Sequence, residues 1–469
     1  MQTDIKEKFI RASLWSGAAT YFFFVFNFLF QWVFSRLLSP TDMGIFAFGI
    51  AIREMIGMVC VIVTPGGYIK SKGEQIDFDA YMMLTWLALF AQLFMTLILS
   101  SYYFIEHHST QVALVILLLG ISQIFILLGY VYMATLEKKL EYKSISILQG
   151  LSNLLTGIIA IFIAYYFHTV YALVVRDLLA AAILWYLIRK KTNINFHLNW
   201  NKNAIKNQFI FGVKWALIRV SEVGYYRIPE LLISFLLSKT SLGYFYQGRY
   251  LAYFPIKLFQ PFTNSILFSY FAHHENDKTG LEKQFWWISY IAIRVLVPIC
   301  GLIYLFGSKF IVFFYGHQWL IAGECFSYFS IFILAGVLLA IAINMANLLG
   351  KQAYVVQAYC MALALFLSGL FKFHSVVDLA FLFSFALFLA VIYLTIRLLL
   401  SRVLKNLFSL YYPVLISLAT FVFSYDYHFS LLTAAGLFFI FLAMCYIAEY
   451  RNIVKLTKQL VFLTRKKAF

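Results

Sequence analysis

Long apolar runs separated by short polar segments recur along the whole chain. A helix that crosses a bilayer needs about 20 predominantly apolar residues. Runs of that kind fall at 12–35, 43–65, 80–104, 111–134, 145–167, 171–188, 209–236, 243–271, 285–306, 322–349, 353–371, 379–400, 409–425 and 429–449. The pattern predicts an all-α polytopic membrane protein of about 14 transmembrane helices. Composition agrees: 63% of the residues are hydrophobic and only 12% charged, with a mean hydropathy of +0.83. A soluble chain carries about 45–50% apolar and about 25% charged residues, so this one has too little polar material to cover a water-exposed body.

The polar segments fix an expected orientation. With the N-terminus inside, 25 of the 37 basic residues fall in inside segments and 4 in outside loops. Lys and Arg gather on the cytoplasmic side of membrane proteins, so both termini are expected to be cytoplasmic. The N-terminal run is read as a retained first helix, since no small-residue cleavage site follows it. The tail IVKLTKQLVFLTRKKAF mixes apolar and basic residues and is expected to lie on the inner leaflet. No outside loop is long enough for a catalytic domain.

One stretch occurs twice. SRLLSPTDMGIFAFG at 35–49 aligns without a gap to SFLLSKTSLGYFYQG at 234–248, with eight identities in fifteen positions. Six predicted helices separate the copies, so the repeats share an orientation, as in transporters built from parallel repeats. The expected organisation is two pseudo-symmetric six-helix lobes plus two C-terminal helices. The N-lobe occupies 1–188, a cytoplasmic linker 189–208, the C-lobe 209–400, an extra helix pair 401–449 and a basic tail 450–469.

Charges inside the spans change the picture. Eight basic residues lie there, Arg53, Arg176, Lys214, Arg219, Arg227, Arg249, Lys257 and Arg294, with four acids, Glu54, Asp177, Glu222 and Glu230. A charge at the bilayer centre costs about 2.5–3.5 kcal/mol on insertion scales, so these groups must face protein or water. At about 100° per residue, Arg219, Glu222, Arg227 and Glu230 share an arc of about 140°. That arc predicts a cationic, water-filled cavity between the lobes. All eight basic residues are candidates for binding an anionic substrate, and Glu222, Glu230 and Asp177 for carrying a coupling H+ or Na+. Arg53 with Glu54 and Arg176 with Asp177 read equally well as neighbouring structural ion pairs. Pro229, Pro255 and Pro261 are expected to kink or break their helices.

Other chemistry is weakly represented. There is no Walker A sequence, the histidines lack ligand spacing, and the five cysteines read as small buried apolar residues with no CxxC. No cofactor, no metal and no nucleic-acid partner is expected. Gly66 and Gly67 after Pro65 read as a turn.

The run ending SRLLSPTDMGIFAF resembles the RLL-S-P-x-D-x-G signature of polysaccharide biosynthesis proteins, the Wzx-type flippases of the MOP exporter superfamily. The resemblance extends to length, two six-helix lobes, a final helix pair and short loops. It implies movement of an oligosaccharide on undecaprenyl pyrophosphate from the cytoplasmic to the periplasmic leaflet of the bacterial inner membrane. It also implies alternating access around a cationic cavity, membrane lipids and other glycan-assembly membrane proteins as partners, and no enzymatic activity. The positions matching the family's cationic residues are Arg53, Arg219 and Arg249, and the glycan path the resemblance implies could be lined by Tyr225, Tyr226, Tyr244, Tyr246 and Tyr250. Helix one lacks the charge some relatives carry there. The alternatives are a multidrug antiporter of the same superfamily and a membrane glycan polymerase or ligase.

Overall fold

The computed structural model describes residues 21–63, 65–71, 74–106, 108–197, 200–261, 278–399, 410–414 and, further on, 433, 435–440, 442–444, 446, 447 and 449. Among these the secondary structure is helical. The helices are α1 (Tyr21–Leu37), α2 (Pro40–Ile56), α3 (Pro65–Lys70), α4 (Glu74–Ile105), α5 (Thr110–Lys138), α6 (Tyr142–Phe167) and α7 (Tyr171–Thr192). They continue with α8 (Lys202–Leu236), α9 (Lys239–Pro261), α10 (Lys278–Tyr315), α11 (Leu320–Leu348), α12 (Gln352–Gly369) and α13 (Val376–Leu398). Eight of them, α4 to α7 and α10 to α13, are long and apolar enough to cross a membrane. In α8 and α9 the intramembrane charges dilute the hydropathy, although these helices have 35 and 23 residues. The chain is a multi-pass membrane protein. The predicted spans 409–425 and 429–449 fall largely outside the described residues, as do the tail and Cys445.

The repeated stretch encodes a repeated helix start. Ser39 caps α2, accepting from the Asp42 backbone N–H while the Asp42 carboxylate accepts from the Ser39 N–H. Ser238 does the same before α9, accepting from the Ser241 N–H. Such caps satisfy backbone donors that the first turn leaves unpaired.

Packing divides the helices into two groups. In the first, α5 packs on α4, α7 and α2, and α6 on α7; in the second, α11 packs on α9, α10 and α13, and α12 on α13 and α8. The groups meet where α3 and α4 lie against α8 and where α2 lies against α8 and α9. The two copies of the repeat touch there. A Cβ added to Gly44 would stand 1.7 Å from the Lys239 carbonyl oxygen, and one added to Gly243 would stand 1.9 Å from that of Pro40. Thr41 and Thr240, 199 positions apart, share a hydroxyl hydrogen bond of 2.8 Å. The contact is thus reciprocal between equivalent positions, and only glycine lets the backbones come this close.

Further polar contacts seal the same end. Gln31 donates to Gln247 (2.6 Å), Gln247 to Ser35 Oγ (2.8 Å) and the buried Trp319 indole to the Ser35 carbonyl (2.7 Å). Arg36 gives two bonds to the Phe313 and Phe314 carbonyls.

Three local expectations are corrected. Pro255 does not break α9, which runs through it to its last described residue, Pro261, and α8 is continuous through Pro229. A proline removes one donor, and packing against neighbouring helices holds α8 and α9 together. Gly66 and Gly67 belong to the helix α3 rather than to a turn. They are glycines because α8 crosses them: an added Cβ would stand 2.9 Å from the Phe211 ring or 2.1 Å from Gln208 Oε1. The connector between α7 and α8 is 193–201, shorter than the expected 189–208, because both helices extend beyond their apolar runs.

Candidate functional site

Helix two bends away at Ile56 into a 3-10 turn, Gly57–Ile62, and then α3. This turn and α3, with α2, α5 and the first half of α8, enclose a cavity of about 700 Å3. Gly66 and Phe211 lie on its wall, and the charged residues on it, among those described, are Arg53, Glu54, Arg219 and Glu222. Tyr130 lines it as well. The cavity therefore lies between the two helix groups, on the side away from the sealed repeat contact.

The charges form a network across four helices. Arg53 of α2 donates to Asp177 of α7 at 2.5 Å and to Ser122 of α5 at 3.1 Å. Asp177 also accepts from Ser122 at 2.6 Å. Arg227 of α8 grips Glu54 of α2 with two bonds of 2.8 Å, from Nε and Nη2, and gives Nη1 to Glu230 at 2.7 Å. Glu230 is fully buried and also accepts from Arg249 of α9. Arg249 lies among the rings of Tyr226, Phe245, Tyr253 and Phe383. Arg219 pairs with Glu222 one turn on at 2.8 Å and is 58% exposed.

Among the described side chains, the expected cations bring carboxylates with them. On the cavity wall two arginines stand beside two carboxylates, and Arg227 and Arg249 also hold carboxylates. Desolvating an unpaired charge costs more than a helix can recover, so the fold supplies its own counter-ions. The sequence neighbours do not pair with each other. Arg53 takes Asp177 and Glu54 takes Arg227, because adjacent residues on a helix point about 100° apart. Arg176 donates instead to Asn27 at 2.9 Å and lies over the rings of Phe30 and Phe34.

Other candidates lie elsewhere. Arg294 is gripped by Glu449 at 2.9 and 2.7 Å, packs on Tyr290, and is not on the cavity wall. Lys257 is exposed beside a separate cavity of about 170 Å3, with Asn27, Tyr250 and Tyr253. The side chain of Lys214 is outside the described residues. Tyr225 is buried, donates to the Phe383 carbonyl at 2.6 Å, and serves packing rather than a sugar path. Glu54, read from the sequence as a structural partner of Arg53 and not as a coupling acid, instead lines the cavity and pairs with Arg227. Cys60, Cys300 and Cys325 are buried as expected, but Cys360 is exposed. Among the described residues no cluster of His, Cys, Asp and Glu could hold a metal ion.

Two helix groups lie side by side in a multi-pass membrane protein, with a cavity that carries two arginines and two carboxylates at one end and a close-packed contact at the other. Solved structures share this fold. The lipid II flippase MurJ, in an inward closed conformation, superposes with a TM-score of 0.69 over 94% of this chain and 99% of its own, at 16% identity. An inward-facing multidrug resistance MATE family transporter of the MOP superfamily gives a TM-score of 0.59 over 81% of this chain and 93% of its own, at 14% identity. Among sequences, a membrane protein in the cps region of Klebsiella pneumoniae is 24% identical over 333 residues, covering 68% of this chain. The match spans 66% of that relative, slightly under two thirds of its length. The profile of the polysaccharide biosynthesis protein family matches residues 33–324. The chain belongs to that family.

Proposed function

We propose that this transporter flips an oligosaccharide linked to undecaprenyl pyrophosphate from the cytoplasmic to the periplasmic leaflet of a bacterial inner membrane, by alternating access of two lobes. The observation that carries the reading is the cavity between the helix groups, with arginines on and behind its wall and a reciprocal seal at the opposite end. A pyrophosphate resists crossing because burying isolated charge is very costly. Guanidinium forks match phosphate oxygens and can take that charge over. The prenyl chain would remain in lipid while the headgroup passes. With both termini cytoplasmic, the cavity faces the cytoplasm and the repeat contact closes the periplasmic end. Glu222 and Glu230, and Asp177 in the first group, are the acids proposed for coupling to H+ or Na+.

Purified protein in liposomes should move a fluorescent undecaprenyl pyrophosphate glycan between leaflets. Arg219→Gln combined with Arg227→Gln should lower the rate at least about tenfold, a loss of about 1.4 kcal/mol of transition-state stabilisation. A double variant that folds and flips at the wild-type rate would refute the reading. One observation favours a second reading, a multidrug antiporter: Glu54 and Glu222 on the cavity wall could hold an organic cation. Export of ethidium by the same liposomes, with no glycan movement, would select it.

A further inference from the structure

Within the proposed transport function, one carboxylate has a position unlike the others. Arg53–Asp177 joins helices of the first group, Arg219–Glu222 and Arg227–Glu230 lie within α8, Arg249–Glu230 joins α9 to α8, and Arg294 of α10 pairs with Glu449 beyond α13. Glu54–Arg227 is, among salt bridges between described residues, the one that ties the first group to the second. Glu54 stands on the cavity wall with a third of its side chain exposed (33%), while Arg227 lies behind it at 15%.

We propose that Glu54 is an exchangeable counter-ion: a phosphate-type headgroup entering the cavity takes its place on Arg227, and the exchange unfastens the two helix groups. The geometry supports this in three ways. The Glu54 carboxylate engages Arg227 Nε and Nη2 as two parallel bonds of 2.8 Å, an arrangement that two phosphate oxygens reproduce. Removal of Glu54 leaves Arg227 and Arg249 sharing the single carboxylate of Glu230, a local charge of plus one that favours an anion. Arg53, on the same wall, has a buried Nε with no hydrogen-bond partner, a donor the present arrangement leaves unused. Glu54, once displaced, faces the cavity and can hydrate there. The exchange makes ligand binding and loss of the inter-group tie the same event, which is what a transporter needs if it is to open only when loaded.

The test is a carboxylate removal that should strengthen anion binding. Wild type, Glu54→Gln and Glu54→Asp are compared in nanodiscs for affinity to inorganic pyrophosphate and to farnesyl pyrophosphate. Each is also made with Thr41→Cys and Thr240→Cys, and the disulfide yield is read by peptide mass spectrometry. Glu54→Gln should bind both probes about tenfold tighter and, without ligand, lose at least about half of the cross-link. Glu54→Asp, which keeps the charge but withdraws it by one methylene, should also lose cross-link. Arg227→Gln should bind neither probe. Tighter binding of the prenyl probe than of the inorganic one would place the headgroup on a lipid; equal affinities would assign the site to a free anion. Anion affinity that stays the same or falls in Glu54→Gln overturns the exchange. A cross-link that holds while affinity rises overturns the unfastening. Cross-link loss with neither probe bound to any variant overturns the anion and the lipid-pyrophosphate reading together.

Discussion

Glu230 is enclosed by two guanidinium groups and reached by no solvent. Its charge is what allows Arg227 and Arg249 to be buried on adjacent helices. Removing one partner of a buried ion pair strands the other charges and costs about 3–5 kcal/mol. Glu230→Gln should therefore lower the midpoint of thermal unfolding by several degrees or abolish membrane accumulation, read by fluorescence-detected size exclusion. Arg219 stands at the other extreme. Its pair with Glu222 is largely exposed, and exposed pairs contribute less than about 1 kcal/mol. Arg219→Gln should leave the melting midpoint within about two degrees while reducing transport. A large fall in stability would show that Arg219 is structural. The types and approximate depth of these charges were legible in the sequence. Their partners were not, since Glu54 and Arg227 lie 173 positions apart and only the packing of α2 on α8 brings them together.

At the scale of elements, hydropathy located the helices well because bilayer length and backbone satisfaction leave few alternatives. It misjudged their ends, which run on through polar residues, and it misread prolines. A proline's missing N–H is a local fact, whereas whether a helix breaks there depends on its neighbours. The repeat was the most informative local signal. It predicted equivalent positions, and the structure adds that the equivalent positions touch. Gly44→Ala places a methyl group against the Lys239 carbonyl. Overpacking of this kind costs about 1–3 kcal/mol, so this variant and Gly243→Ala should each loosen the α2–α9 contact, seen as a lower Thr41–Thr240 disulfide yield after replacement by cysteine. Ser39→Ala removes the cap of α2 and should cost about 1 kcal/mol, measurable as a smaller shift in the same unfolding assay.

At the scale of the molecule, two helix groups touch closely at one end and part around a charged cavity at the other. This fold is shared with MurJ and with MATE family transporters. The sequence expected a cavity with surplus positive charge; among the described side chains its wall carries two arginines and two carboxylates, with the arginines held in place by carboxylates. Balance is what stability in a low-dielectric interior demands, and a headgroup would have to compete with those carboxylates for its site. The most direct test of transport through this seam is to fasten it. Thr41→Cys with Thr240→Cys, oxidised in proteoliposomes, should stop movement of the undecaprenyl pyrophosphate glycan, and reduction should restore it. Flipping that continues with the disulfide closed would contradict the account, because the substrate would then be crossing without the two groups coming apart.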